Sequence, residues 1–126
     1  MTGTRVAVAT DDGVTVSRHL GRAEYFLVFD LVGGVPKVVE KRPKPSHQHP
    51  GIGHADGGHE EGSFHERMLL AVSDCQAVVA GGMGWGMYEA IRGAGKKPYV
   101  TDLRSAEEAM REYIAGTLTD HTEMLH

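Results

Sequence analysis

The sequence predicts an α/β fold: a mixed sheet of about five strands with helices on its faces. Three observations carry that reading. The first third of the chain holds three strand-like runs separated by turn residues, Gln76-Ala77-Val78-Val79-Ala80 is a short apolar run suited to burial on both faces, and each later apolar run leads into a helical stripe. Three early, largely antiparallel strands followed by helix, strand, helix, strand, helix make a mixed sheet.

Taken in order, Arg5-Val6-Ala7-Val8-Ala9-Thr10 is the first strand, closed by the turn residues Asp11-Asp12-Gly13. Glu24 to Leu31 is rich in aromatic and branched residues, and Gly33-Gly34 reverses it into Val35-Pro36-Lys37-Val38-Val39-Glu40 as an antiparallel hairpin. Pro36 cannot donate to a ladder, so this third strand belongs at a sheet edge, where a second chain could also dock. From Pro43 to Gly62, three prolines and five glycines among polar residues and histidines offer too little apolar area to offset ordering, which predicts a flexible loop over 43–62.

Ser63-Phe64-His65-Glu66 reads as a capping box, with a helix from that point whose buried stripe is Phe64, Met68 and Val72. The apolar run over Gln76 to Ala80 is then a core parallel strand, and Gly81-Gly82-Met83-Gly84 turns it into a helix over Trp85 to Gly93 with Met87, Ala90, Ile91 and Ala94 on one face. Lys97 to Thr101 is the last strand. Ser105-Ala106-Glu107-Glu108 opens a final helix with Ala106, Met110, Tyr113 and Ile114 inward, and the residues from Thr117 show no periodicity. The organisation expected is one domain over 1–116, interrupted by the 43–62 loop, and a tail over 117–126.

Composition narrows the function. The chain has 126 residues, 40% hydrophobic and 24% charged, which suits a single core, and its net charge of -4 from 13 basic and 17 acidic residues gives no basis for nucleic-acid binding. No apolar run reaches the roughly 20 residues of a membrane span. A single cysteine, Cys75, forms no internal disulfide and reads as a small buried residue more than a soft metal ligand, so the expected setting is the reducing cytoplasm.

The eight histidines are unevenly spread: His47, His49, His54, His59 and His65 fall in or beside the loop, while His19 stands alone between Arg18 and Leu20. The loop histidines, with Asp56, Glu60 and Glu61, make a compositional candidate for zinc, nickel or copper, without the spacing of a structural zinc site. In Ser17-Arg18-His19-Leu20-Gly21-Arg22-Ala23 an imidazole able to ligate a metal lies between two cations, in a loop expected at the same end of the sheet as the glycine turn. That turn, Gly82, Met83 and Gly84 included, either presents backbone N–H groups to an anion or only permits a sharp bend and close packing. Its spacing fits neither a phosphate-binding loop nor a dinucleotide fingerprint.

His19-Leu20-Gly21-Arg22-Ala23, Tyr25-Phe26-Leu27-Val28-Phe29, Val78-Val79-Ala80-Gly81-Gly82-Met83-Gly84 and Gly93-Ala94-Gly95 together resemble the dinitrogenase iron-molybdenum cofactor biosynthesis family, the NifX/NafY-type carrier domains. The resemblance runs from about Arg5 to Ala115. It implies a ribonuclease-H-like mixed sheet and a protein that carries or inserts a metal-sulfur cluster, an iron-molybdenum cofactor precursor or a related molybdenum or iron cluster. His19 matches the histidine of the family's His-Phe-Gly pattern, a position implicated in cluster binding, with Leu20 in place of the aromatic residue. On this reading His19 is a terminal ligand, Arg18 and Arg22 balance charge, and the amides from Gly82 to Gly84 donate to cluster sulfurs. The partner implied is a cluster-assembly or acceptor metalloprotein, and the role is that of a carrier and not of an enzyme.

Two alternatives remain. A histidine-rich metal-sensing or storage module would make the loop the active part. A two-metal nuclease would need converging carboxylates, and Asp11, Asp12, Asp30, Asp102 and Glu66 are explained more simply as turn, strand-end and cap residues.

Overall fold

The computed structural model describes residues 4–44 and 60–126. Five strands form one mixed sheet in the order β3-β2-β1-β4-β5. Strands β1 (Thr4–Thr10), β2 (Tyr25–Val32) and β3 (Val35–Pro43) form an antiparallel meander, while β4 (Ala77–Ala80) lies parallel to β1 and β5 (Lys97–Val100) parallel to β4. The period-two alternation of β1 explains the layering. Val6 and Val8 face one core with Leu27, Phe29, Val79 and Met110, and Ala7 and Ala9 face the other with Phe26, Val28, Met68 and Ile91. Helices α1 (Glu60–Ala71) and α2 (Trp85–Gly93) supply the second core, and α3 (Ala106–Ala115) supplies the first. Each fully buried valine or phenylalanine in these two layers contributes about 1.5–3 kcal/mol.

The mixed sheet agrees with the sequence reading, and β3 is the edge strand that Pro36 requires, pairing only with β2. Phe64, Met68 and Val72 form the buried stripe as expected. The start of α1 is different: the helix already includes Glu60, so Ser63 lies inside it and not at its N-cap position. Glutamate has a high helix propensity, which suits an earlier start at Glu60 and Glu61. At the other border β3 continues through Pro43, so both ends of the expected 43–62 loop belong to regular structure. Ala94, expected on the inner face of α2, is exposed, and Tyr88 is buried in its place. Of the second capping box, the Ser105 hydroxyl does accept from the Glu108 amide at 3.1 Å.

The segment after Gly116 has no sequence periodicity because its order comes from anchoring at separate points. The His121 amide donates to the Val100 carbonyl at 2.8 Å, Asp120 accepts from the Val100 amide at 2.8 Å and from the Tyr88 hydroxyl, and the His126 amide donates to the Met83 carbonyl at 3.3 Å. Residues 117–126 therefore return along β5 to the glycine turn. Among the described residues, no helix is long and apolar enough to cross a membrane.

An ion-pair network closes the opposite end of the sheet. Asp74 accepts from Arg42 at 2.9 Å and from Arg5 at 2.9 Å, while Arg5 also reaches Asp30 at 3.0 Å and Arg42 reaches Glu40 at 2.8 Å. These bonds, Arg42 foremost, hold the Asp74 carboxyl well below the usual carboxylate range. Cys75 lies beside it, with its thiol pushed up to about 12 by burial, so at neutral pH it is a protonated core residue at the end of β4 remote from the glycine turn.

Because its pKa is depressed on folding, the Asp74 contribution is present above the ordinary carboxylate pKa and fades as pH falls below it. Asp74→Asn is expected to cost about 1–2 kcal/mol at pH 7, a figure reduced for the 40% exposure of the side chain. In urea denaturation the difference from wild type should shrink at pH 3; a difference of equal size at both pH values would contradict the assignment.

Candidate functional site

The site forms where the 16–20 loop crosses the carboxyl ends of β1 and β4. The Ser17 amide donates to the Ala9 carbonyl at 2.7 Å, the Gly81 amide to the Ser17 carbonyl at 2.7 Å, and the Leu20 amide to the Gly82 carbonyl at 2.8 Å. This approach is possible only because two residues lack a side chain: a Cβ at Gly81 would stand 2.9 Å from the Ser17 oxygen, and one at Gly82 only 2.5 Å from the Arg18 oxygen. His19 sits at the start of a single 3-10 turn, Leu20–Arg22, with its amide bonded to the Ser17 hydroxyl at 3.3 Å. Leu20 is 1% exposed and pins the turn to the core, leaving the His19 ring at the surface.

Beside this ring opens a cavity of about 520 Å³ lined by two kinds of side chain. Leu20, Phe64, Met83 and Met87 make an apolar floor, and His19, Arg22, His65 and His126 bring the polar groups. The lining contains no aspartate or glutamate. His65 reaches it from the second turn of α1, where its Cε1 lies 3.0 Å from the position a Cβ would take on Gly86. His126 reaches it from the anchored 117–126 segment, and its ring centroid is 6.1 Å from that of His19 with the planes at 73°.

Of the site residues read from sequence, His19, Arg22, Met83, Gly84 and His65 line the cavity. Arg18 and Gly82 do not: Gly82 is buried under the Arg18 backbone, and Arg18 is exposed beside Gly81. His47, His49, His54 and His59 lie outside the described residues. The glycine turn fits the close-packing reading made for it. It permits the close approach of the 16–20 loop, and among the described residues no group accepts from the amides of Gly82, Met83 or Gly84, whereas the Trp85 amide donates to the His126 carbonyl at 3.1 Å. Among the described residues no three His, Cys, Asp or Glu side chains converge as a ready metal site.

The acids behave as structural residues. Asp12, held down at about 2, accepts from the Thr15 and Val14 amides at 2.8 Å each, Asp11 accepts from the Glu24 amide at 2.9 Å, and Asp30 pairs with Arg5. Sequence reasoning missed two residues here. His126 belongs to an aperiodic segment and carries no local pattern. Lys44 was taken as part of the loop, yet it is buried, with its ammonium 5.4 Å from the centre of the Phe64 ring and 3.4 Å from the Gly21 carbonyl behind the cavity wall.

A model of the family described as dinitrogenase iron-molybdenum cofactor matches residues 3–116. The chain belongs to this family. It is 32% identical over 116 residues to the FeMo cofactor biosynthesis protein NifB of Frankia alni, a match covering 91% of this chain and 22% of that protein. The chain thus spans about a fifth of that relative's length. Two solved structures share the fold: the crystal structure of PH0822, with a TM-score of 0.69, 23% identity and 96% and 97% of the two chains covered, and the apo form of the orange protein from Desulfovibrio gigas, with a TM-score of 0.66, 19% identity and 95% of each chain covered.

Gly82→Ala forces a Cβ against the Arg18 carbonyl and should destabilise this family member by about 2–4 kcal/mol in chemical denaturation. Wild-type stability would show that the loop does not depend on that contact. Burial pushes the Lys44 ammonium from 10.5 down to about 8, against the opposite pull of Asp11 and Glu24. Between those values the unfolded chain binds more protons, so this residue makes stability rise with pH there, by at most about 1.4 kcal/mol per pH unit. Denaturation of wild type and Lys44→Met at pH 7 and 9.5 should show wild type gaining on the variant at the higher pH, and parallel behaviour would refute the burial argument.

Proposed function

We propose that this chain carries a metal-sulfur cluster, an iron-molybdenum cofactor precursor or a related iron or molybdenum cluster, and delivers it to a cluster-assembly or acceptor metalloprotein. The supporting observation is the cavity at the glycine turn, which combines imidazoles and an arginine with an apolar floor and, among the described residues, is lined by no aspartate or glutamate side chain. A sulfide-bridged cluster is anionic and brings most of its own ligands, so it needs few from the protein and is repelled by acidic side chains. A site prepared for a single zinc ion would instead gather three or four protein ligands.

The roles follow from position. His19 is a terminal ligand on a turn held by Ser17 and Leu20. Arg22 offsets cluster charge, the amides of Met83 and Gly84 are hydrogen-bond donors to sulfur, and Phe64, Met83 and Met87 exclude water from one side. Few protein bonds leave the cargo transferable, which fits a carrier better than a catalyst. Membership in a cofactor-biosynthesis family supports the same reading.

Anaerobic reconstitution with iron, molybdate and sulfide, followed by visible absorption and metal analysis, tests this function. Wild type should retain a chromophore through gel filtration, and His19→Ala should retain about tenfold less or lose it altogether. Equal metal and sulfide content in the two proteins would remove His19 from the site.

A further inference from the structure

We infer that His126 is a second imidazole ligand for the cargo, so that the site is completed by the segment that follows α3. This rests on the carrier reading of the cavity and adds a residue to it. The placement of His126 is built into the fold. Its amide donates to the Met83 carbonyl at 3.3 Å and its carbonyl accepts from the Trp85 amide at 3.1 Å, a two-bond clasp around Gly84 that sets residue 126 on the glycine turn. Upstream, Met124 and Leu125 pack against the core, and Asp120 and His121 are bonded to β5. An aperiodic segment is thus fixed at several points, and the result is one imidazole held against another.

The spacing fits shared ligation. Two imidazoles bound through nitrogen to one metal ion at about 2.0–2.1 Å have ring centres about 4.5 Å apart at a right angle and about 6.4 Å apart when opposed, so a separation near about 6 Å corresponds to a wide angle at the metal. The His19 and His126 centres are 6.1 Å apart, and both residues are exposed enough to receive a ligand from the cavity side. No third His, Cys, Asp or Glu joins them among the described residues. A metal held by this pair keeps its remaining coordination positions for ligands it arrives with, as a cluster metal bearing sulfides does. His65, on the other side of the cavity, packs over Gly86 and is not needed for the pair.

Cu(II) is a direct probe of the pair, because electron paramagnetic resonance and spin-echo modulation count its imidazole nitrogens. The chain would be studied with His47, His49, His54 and His59 replaced by Asn so that those imidazoles do not contribute. The expected result is two coordinated imidazoles in this parent and one in each of His19→Ala and His126→Ala. His126→Gln, which preserves side-chain bulk, should also give one, with a thermal melting curve like the parent's. Two imidazoles in either His126 variant, or fewer than two in the parent, would overturn the inference. The same His126 variants loaded with iron, molybdate and sulfide separate this failure from failure of the carrier reading. A chromophore lost in His19→Ala and unchanged in spectrum and retention in His126→Ala refutes only the role of His126, whereas a wild-type protein that holds no chromophore refutes the carrier function itself.

Discussion

The whole site depends on one close approach, the seating of the 16–20 loop on Gly81 and Gly82. Three backbone hydrogen bonds hold it, and no residue with a side chain fits at Gly82 without moving the Arg18 carbonyl. That contact places His19 over the carboxyl ends of two parallel strands, the position at which open α/β sheets present ligands, and sets it beside the N-terminal end of α2. The buried side chain of Leu20 turns the contact into a fixed orientation. Glycine at this turn is therefore a packing requirement first, and the amides of Gly82 to Gly84, which no described residue accepts from, follow from the same geometry.

The fold separates its ion-pair network from its cavity. At one end of the sheet, the Arg5, Arg42 and Asp74 network joins β1, β3 and the residues after α1, and Cys75 is sealed beside it. At the other end, the cavity gathers groups from the 16–20 loop, α1, α2 and the segment after α3, with no aspartate or glutamate side chain beside them among the described residues.

Much of this was legible in the sequence because it rests on periodicity. The alternation of Val6 and Val8 with Ala7 and Ala9, the continuous apolar run of β4 and the stripe of Phe64, Met68 and Val72 each state which face is buried. Pro36 marked the edge, and His19 with its glycine turn marked the end of the sheet where the cavity opens. What escaped has a common cause. Ser63 looked like a cap because local sequence does not reveal that Glu60 and Glu61 already continue the helix. Residues 117–126 looked featureless because their order comes from bonds to Val100, Met83 and Tyr88, all distant in sequence, and His126 was hidden with them. The same limit applies to Lys44, buried by a strand that runs beyond its periodic part.

On the carrier function proposed above, the uneven distribution of histidines comes down to which of them touch the cargo. The most direct measurement is a 1H–15N correlation spectrum of the apo and cluster-loaded protein, in which a paramagnetic iron-containing cluster broadens the amides nearest to it. Signals from His19 to Arg22, Met83 to Met87 and His126 should disappear on loading, while those of β3 and α3 persist. Broadening centred on residues 47–59, with the amides around His19 intact, would contradict the account.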